Sequence, residues 1–90
     1  MPLTRTLTIC NTKGLHARAS ARFVETVESF DATAMVRRDG QSVAGDSIMG
    51  LLMLAASQGT TIDVTTGGRQ AEALMAALDA LVADRFGEER

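Results

Sequence analysis

The sequence predicts an α+β fold, an open-faced two-layer sandwich in which three helices cover one face of a four-stranded antiparallel sheet. Four short segments alternate between apolar and polar residues, and three segments repeat apolar residues at helical spacing. Their order along the chain is strand, helix, strand, strand, helix, strand, helix. The alternation favours an antiparallel sheet with one wet face, because strands covered on both faces are apolar almost throughout.

The first half of the chain predicts a strand, a helix and a hairpin. Residues 3–9 alternate between largely apolar residues and threonines, which predicts a strand with one half-buried face. After the loop residues "NTKG", apolar residues recur at helical spacing and predict a helix over residues 17–29. Residues 32–38 predict the second strand. The pair Asp39-Gly40 favours a tight hairpin turn with positive φ, which leads into a short third strand.

The second half predicts two helices around one strand. The segment "DSIMGLLMLAASQG" predicts a helix with Asp46 or Ser47 as its N-cap and Gly59 as its stop. Residues 60–66 alternate again and predict the fourth strand. The last helix has the clearest apolar stripe, formed by Ala71, Leu74, Met75, Leu78, Leu81 and Val82. The terminal residues 87–90, "GEER", are expected to fray.

Size and composition restrict the organisation and location of the protein. Ninety residues, 46% hydrophobic and 22% charged, suffice for one core and are too few for two, so we expect a single domain over residues 1–90. The first ten residues lack an apolar run of signal-peptide length, and no segment approaches the ~20 apolar residues of a membrane span. We therefore expect a cytoplasmic protein without membrane insertion.

Charge and aromatic content argue against a nucleic-acid partner. The net charge is −2, the nine basic residues are dispersed, and the only aromatic residues are three phenylalanines. The chain therefore lacks both a basic field for phosphates and platforms for base stacking. An RNA-binding sheet domain is a distant alternative that these features oppose.

The only histidine, His16, lies in "KGLHARAS" at the predicted start of the first helix. The first N–H groups of a helix lack intrahelical acceptors, and the aligned peptide dipoles add partial positive charge there. An oxyanion on the His16 ring would therefore face the amides of Ala17, Arg18 and Ala19. The Arg18 guanidinium adds a charged fork suited to phosphate oxygens, and Gly14 lets the preceding loop approach closely.

Two interpretations of His16 stay open on these physical grounds. The positive helix end disfavours the imidazolium form, so we expect a neutral ring near pH 7 that can accept a phosphoryl group through nitrogen. A lone histidine at a helix start is also commonly a solvated capping residue. No metal site is expected, because the chain has one histidine and one cysteine, Cys10, and neither belongs to a cluster of ligands. Cys10 is interpreted as a small core or strand-end residue.

The motif "GLHARAS" and the later "DSIMGLLMLAASQG" together resemble the HPr family, the histidine-containing phosphocarriers of the bacterial phosphoenolpyruvate-dependent phosphotransferase system. The resemblance covers essentially the whole chain in length, element order and both motifs. It implies an open-faced sandwich of four antiparallel strands and three helices, which agrees with the element order derived from the pattern.

The resemblance also implies a chemistry. His16 matches the histidine that receives a phosphoryl group on its δ nitrogen from phospho-Enzyme I and passes it to an Enzyme IIA domain. Arg18 matches the arginine that contacts the phosphate. The carrier itself is expected to hold no metal or organic cofactor, to be a monomer, and to act as a covalent substrate of its partners rather than as a freestanding enzyme.

The chain departs from the family pattern at Ala19, where the family usually has proline. Proline in the first helical turn fixes φ and lacks an N–H that would be unpaired there. Alanine leaves the unfolded chain freer, by about 0.4–1 kcal/mol. We expect this to affect the rate of transfer and the rigidity of the turn, and to leave His16 and Arg18 in place.

Ser47 matches the serine that a dedicated kinase phosphorylates in some family members. Serine is also a preferred N-cap, which is sufficient reason for its position. The two roles are compatible, because a phosphate at a helix amino terminus is tolerated electrostatically and would repel an acidic partner. Asp46 already places a negative charge beside it.

The second helix opens with more large apolar residues than one core can take, namely Ile48, Met49, Leu52 and Met53. We predict that part of this set is exposed and suits docking onto several partners. For Met49, partner contact and a core position are equally compatible with the pattern. Arg22, one helical turn beyond Arg18, either extends a basic rim toward acidic partners or is an ordinary solvated residue.

The sequence leaves three functional hypotheses. The first is a phosphocarrier in sugar uptake, and the second is the nitrogen-related branch, in which the same relay regulates metabolism or transport. The third is a regulatory protein-binding module of the same fold that acts without phosphotransfer and does not depend on His16.

Overall fold

The computed structural model describes residues 2–88 and confirms the predicted α+β architecture. The elements are β1 (Leu3–Thr8), α1 (Ala17–Glu28), β2 (Thr33–Arg38), β3 (Gln41–Ala44), α2 (Ile48–Met53), β4 (Thr61–Gly67) and α3 (Ala71–Ala83). A short 3-10 turn, Arg85–Gly87, follows α3. The longest helix, α3, has 13 residues, and within residues 2–88 no helix is long and apolar enough to span a membrane.

The four strands form one antiparallel sheet in the order β1-β4-β2-β3, with the three helices on one of its faces. Leu7 pairs with Ile62, and Val36 pairs with Val64 on the neighbouring strand. These four side chains are buried under the helices. The opposite face is wet, as predicted: the hydroxyls of Thr4 and Thr65 share a hydrogen bond of 2.9 Å across it.

The helical stripes are buried as their spacing predicts. Helix α1 ends at Glu28 with Ser29 as its cap, one residue before the predicted end, and buries Ala19, Phe23, Val24 and Val27. Helix α3 buries most of its predicted stripe, with Leu81 only partly covered. The hairpin prediction is confirmed by the positive φ angles of Asp39 (50°) and Gly40 (82°).

The predicted end of the second helix is wrong. Helix α2 ends at Met53, and Ala55 adopts a left-handed φ of 51°, well before Gly59. Two long-range hydrogen bonds hold the residues after Met53 outside a helical path. The Leu54 carbonyl accepts a hydrogen bond from Arg38 Nη1 at 2.9 Å, and the Ala56 carbonyl accepts one from the Leu15 N–H at 2.9 Å.

The predicted fraying of residues 87–90 is wrong for Gly87 and Glu88. Arg85, Phe86 and Gly87 all have positive φ (56°, 55° and 76°), which turns the chain back toward the start of α1. Phe86 is 3% exposed and belongs to the core. Glu88 is consequently held against that helix start, whereas residues 89–90 lie outside the described part of the chain.

Candidate functional site

His16 is the N-cap of α1. Its backbone is extended (φ −76°, ψ −177°), and its carbonyl accepts the first helical hydrogen bond, from the Ser20 N–H at 2.8 Å. Its Nδ1 atom accepts a hydrogen bond from the Arg18 N–H at 3.2 Å. The ring therefore folds over the helix start and places Nδ1 at the positive end of the helix.

The loop before His16 is held by a close approach to the segment after α2. Gly14 has φ +65°, and a Cβ atom at this residue would lie 2.4 Å from the Ala56 carbonyl oxygen. Leu15 is buried and donates its N–H to the same oxygen at 2.9 Å. Only glycine fits at position 14, as the sequence suggests, and the residue before His16 is thereby fixed.

The second ring nitrogen of His16 contacts the Glu88 carboxylate. The distance from Nε2 to Oε2 of Glu88 is 2.9 Å. The same carboxylate accepts hydrogen bonds from Asn11 Nδ2 at 3.1 Å and from the Lys13 N–H at 3.3 Å. The His16 and Glu88 side chains are 28% and 14% exposed. The carboxylate therefore has three donors around it in a largely covered position.

These partners select the tautomer of the neutral ring. Nδ1 faces a donor, the Arg18 N–H, and Nε2 faces an acceptor, the Glu88 carboxylate. A neutral imidazole meets both conditions only with its proton on Nε2 and its lone pair on Nδ1. The hydrogen bond with His16 is the main cause that lowers the pKa of Glu88, burial opposes it, and Asn11 and the Lys13 N–H lower it further.

The ring borders a pocket of about 260 Å³ between the loop before α1, the first turns of α1 and the C-terminal turn. Basic residues outnumber acidic ones among its lining residues, which are Lys13, His16, Arg18, Ala19, Arg22, Phe86, Gly87 and Glu88. The charge of the lining suits an anion.

The three amides predicted to face an anion differ in access. Ala17 and Arg18 are exposed and are the first two residues of α1, where N–H groups have no intrahelical acceptor. Ala19 is completely buried and belongs to the hydrophobic core, although it also borders the pocket. Of the three residues, Arg18 and Ala19 line the pocket beside the ring, and Ala17 does not.

The structure identifies Ser47, rather than Asp46, as the N-cap of α2. Its Oγ accepts a hydrogen bond from the Gly50 N–H at 3.0 Å. Asp46 is exposed beside it. The capping role of Ser47 is thus confirmed, and its phosphorylation stays a prediction.

Helix α2 presents an exposed apolar patch, which we call the α2 patch and which consists of Ile48, Met49, Leu52 and Met53. Met49 is 69% exposed and Met53 is 65% exposed, so neither is a core residue. Ile48 is exposed to a smaller extent, and Leu52 is half-buried. Helix α2 packs against α1, the helix that begins at His16.

Arg22 is exposed on α1 and lines the pocket with Arg18. Its guanidinium lies against Gly87, where a Cβ atom would be 3.0 Å from Nη1. Arg22 therefore borders both the pocket and the C-terminal turn, which the sequence pattern did not indicate.

Two site residues, Asn11 and Glu88, were missed by the sequence reasoning. Asn11 lies in the loop motif "NTKG" and is completely buried, which is unusual for an asparagine. Glu88 lies in a polar terminal segment. The available signal was Phe86, a large apolar residue four positions after Val82 on the predicted helical stripe, which indicates that the chain remains packed there.

Within residues 2–88, no group of three or more metal-ligating side chains comes together. Cys10 is partly buried, and its thiol donates to the Val82 carbonyl at 3.2 Å. This contact supports its interpretation as a strand-end packing residue.

Comparison with known proteins agrees with the geometry. The family model described as the PTS HPr component phosphorylation site matches residues 3–84. Phosphocarrier protein HPr of Cupriavidus necator is 45% identical over 86 residues, covering 96% of this chain and 97% of that protein. Phosphocarrier protein NPr of Escherichia coli (strain K12) is 36% identical over 90 residues, covering 99% of this chain and 100% of that protein.

Solved structures agree as well. HPr-C-His from Thermoanaerobacter tengcongensis superposes with a TM-score of 0.92 at 38% identity, over 98% of this chain and 99% of that one. A structure described as an HPr dimer from the same organism superposes with a TM-score of 0.77 at 38% identity, over 91% and 94%. Motifs, fold and full-length relatives together show that the chain belongs to the HPr family of phosphocarriers of the phosphotransferase system.

Proposed function

We propose that His16 accepts a phosphoryl group on Nδ1 from phospho-Enzyme I and passes it to an Enzyme IIA domain. The observation that carries the proposal is the position of Nδ1. It lies 3.2 Å from the Arg18 N–H at the start of α1, and the ring borders a pocket with a largely basic lining. A lone pair held at the positive end of a helix, beside basic side chains, is suited to attack on an anionic phosphoryl group.

The transfer needs few groups from the protein. The Nδ1 lone pair leaves its hydrogen bond with the Arg18 N–H and forms a bond to phosphorus, and the Arg18 N–H becomes free to donate to a phosphoryl oxygen. The bond from phosphorus to the donor breaks with its electron pair returning to the donor. Negative charge is spread over the three equatorial oxygens in the transition state. In this proposal the amides of Ala17 and Arg18 and the Arg18 guanidinium stabilise that charge. Arg18 and Ala19 line the pocket beside the ring, which supports the assignment for these two residues.

We propose that the α2 patch (Ile48, Met49, Leu52 and Met53) and Arg22 form the surface that docks both partners. The exposed methionines are flexible and polarisable, which suits a surface that binds more than one protein. Arg22, near the phosphoryl site, would meet acidic residues of a partner and guide encounter.

Phosphoryl transfer is tested by labelling with radioactive phosphoenolpyruvate and purified Enzyme I. We expect label on the wild type that is lost in acid and retained in base, and no label on His16→Ala. A thermal melt of His16→Ala gives the control for folding. Acid-stable label confined to serine, or equal labelling of both proteins, would contradict the proposal and leave the regulatory binding module.

The branch of the relay is a matter of partners. The relatives include proteins named HPr and NPr, so sugar uptake and the nitrogen-related regulatory relay are both candidates. Parallel labelling with phospho-Enzyme I from each branch, at equal concentrations, distinguishes them by the ratio of initial rates. A ratio near one would show that the chain does not discriminate between them.

Two further proposals complete the function. Ser47 is the candidate for phosphorylation by a serine kinase, which would replace its capping hydroxyl by a phosphate at the start of α2 and slow phosphoryl receipt at His16. Mass spectrometry after incubation with such a kinase, with Ser47→Ala as control, tests it.

We also propose that the carrier acts as a monomer, which light scattering at working concentration tests against a dimer.

A further inference from the structure

The carboxylate of Glu88 is surrounded by donors from the loop before α1. His16 Nε2 lies 2.9 Å away, Asn11 Nδ2 lies 3.1 Å away and the Lys13 N–H lies 3.3 Å away. Asn11 is completely buried and also donates to the Gly14 carbonyl at 2.8 Å, so its amide cannot turn away without losing two hydrogen bonds. The loop before α1 therefore presents three hydrogen-bond donors to the Glu88 carboxylate.

The C-terminal turn places Glu88 against that loop. Arg85 and Phe86 have left-handed φ angles of 56° and 55°, which non-glycine residues adopt only when the surroundings impose them. The buried Phe86 ring imposes this conformation, because it holds the turn against the core at 3% exposure. A strained, packed turn immediately before Glu88 indicates a carboxylate with a fixed position.

We propose that Glu88 is a positioning residue for phosphotransfer, which keeps the proton on Nε2 of His16 both before and after the phosphoryl group arrives. This inference rests on the proposed function and concerns a residue outside residues 3–84, which the family model matches. Asn11 supports Glu88 by fixing the second side of its carboxylate.

The chemical role follows from the proton. In the free protein, a proton on Nε2 leaves the lone pair on Nδ1, where attack occurs. When the N–P bond forms and the donor bond breaks, the ring becomes a phosphoimidazolium with its proton still on Nε2, and the Glu88 carboxylate compensates the new positive charge. An aspartate on a catalytic histidine acts in this way in hydrolase triads.

Onward transfer uses the same proton. When phosphorus moves to the next acceptor, the electron pair of the N–P bond returns to Nδ1 and the ring leaves as neutral imidazole. Without the Nε2 proton, the leaving group would be an imidazolide anion, which is much poorer. By retaining that proton, Glu88 keeps the phosphoryl group transferable.

The charged groups around the ring agree with this role. Lys13, Arg18 and Arg22 line the pocket, and Glu88 is the only acidic residue among its lining residues. The basic groups favour the phosphate and disfavour extra positive charge on the ring. The Glu88 carboxylate, whose pKa is lowered chiefly by its hydrogen bond with His16, is ionised at neutral pH and offsets that effect.

The first test needs no partner protein. Nitrogen-15 NMR of the unphosphorylated protein reports the tautomer of His16 through the couplings of Nδ1 and Nε2 to the ring protons. We expect the Nε2–H tautomer in the wild type and in Glu28→Ala, a control at an exposed carboxylate of α1. In Glu88→Ala, we expect a clear rise of the Nδ1–H tautomer. Equal tautomer ratios in wild type and Glu88→Ala would overturn the inference.

The second test uses protein labelled through Enzyme I and measures hydrolysis of the label as a function of pH. A phosphoimidazolium hydrolyses faster than its neutral form, so the profile reports the Nε2 proton. For Glu88→Ala, we expect the pH midpoint to fall by about one unit, the size of shift that loss of a nearby opposite charge produces. Glu88→Asp is expected to restore the midpoint in part.

The outcomes separate this inference from the proposed function. If Enzyme I labels no protein, the proposed function fails while the tautomer measurement still decides the role of Glu88 in orienting the ring. If the wild type is labelled and its hydrolysis profile coincides with that of Glu88→Ala, phosphotransfer stands and the role of Glu88 is refuted.

Discussion

Gly14 is the residue on which the position of His16 depends most closely. We predict that Gly14→Ala is much more destabilising than the same change at Gly59, although both glycines have positive φ, +65° and +90°. At Gly14, an added Cβ would lie 2.4 Å from the Ala56 carbonyl oxygen and 2.9 Å from the Ser57 Cα. At Gly59, nothing lies within 4 Å of the added atom.

The magnitudes follow from these distances. A left-handed alanine costs roughly 1–2 kcal/mol, and the stiffer unfolded chain returns about 0.4–1 kcal/mol, so Gly59→Ala should cost about 1 kcal/mol. At Gly14, the Ala56 carbonyl must also move. This weakens its hydrogen bond with the Leu15 N–H, worth about 0.5–1.5 kcal/mol, and adds an overpacking cost of about 1–3 kcal/mol. The expected total is about 3–5 kcal/mol.

Urea unfolding of wild type, Gly14→Ala and Gly59→Ala measures the two costs, and the initial rate of labelling by phospho-Enzyme I measures the effect on His16. We expect Gly59→Ala to be labelled at the wild-type rate. The folded fraction of Gly14→Ala should be labelled much more slowly than the wild type. If the two variants had equal midpoints and equal labelling rates, the close contact between Gly14 and Ala56 would not position His16.

Three further predictions concern capping, docking and pH. Ser47→Ala should lower the free energy of unfolding by about 0.5–2 kcal/mol, because the bond from the Gly50 N–H is lost, and chemical denaturation against Ser47→Asp checks this. Met49→Ser should leave the thermal midpoint nearly unchanged and slow phosphoryl receipt, whereas the buried Leu51→Ala should cost about 2–5 kcal/mol; a reversed pattern would refute the docking role. The lowered pKa of Glu88 means that its stabilisation is complete above the ordinary value of 4.5 and is lost as pH falls through the lowered value. The stability of wild type minus that of Glu88→Gln should therefore shrink with acidification below pH 4.5, and a constant difference would contradict the contact with His16.

Much of the fold follows from local pattern. The alternation of β1 and β4, the Asp39-Gly40 turn and the stripe of α3 each depend on residues that are neighbours in sequence, and each was predicted correctly. The end of α2 was predicted wrongly, because Ala55 turns the chain toward a contact between Ala56 and Leu15. No local spacing encodes that contact.

The candidate site divides in the same way. The placement of His16 at the start of α1, with Arg18 beside it, follows from loop chemistry and helix periodicity in one short segment. Glu88 lies 72 positions along the chain from its partner His16, in a segment whose polar composition is typical of a frayed terminus. Phe86 indicates in the sequence that the chain stays packed near its end, but the left-handed turn at Arg85 and Phe86 that brings Glu88 to His16 is visible only in three dimensions.

Direct observation of the phosphorylated nitrogen tests the proposed relay most closely. The protein, labelled with nitrogen-15, is incubated with phosphoenolpyruvate and Enzyme I and examined by phosphorus and nitrogen NMR. We expect a phosphorus–nitrogen coupling at Nδ1 of His16, with Nε2 still protonated and hydrogen-bonded to Glu88. A phosphoryl group on Nε2, or on Ser47 with His16 unmodified, would contradict the role of Nδ1 as the phosphorylated atom.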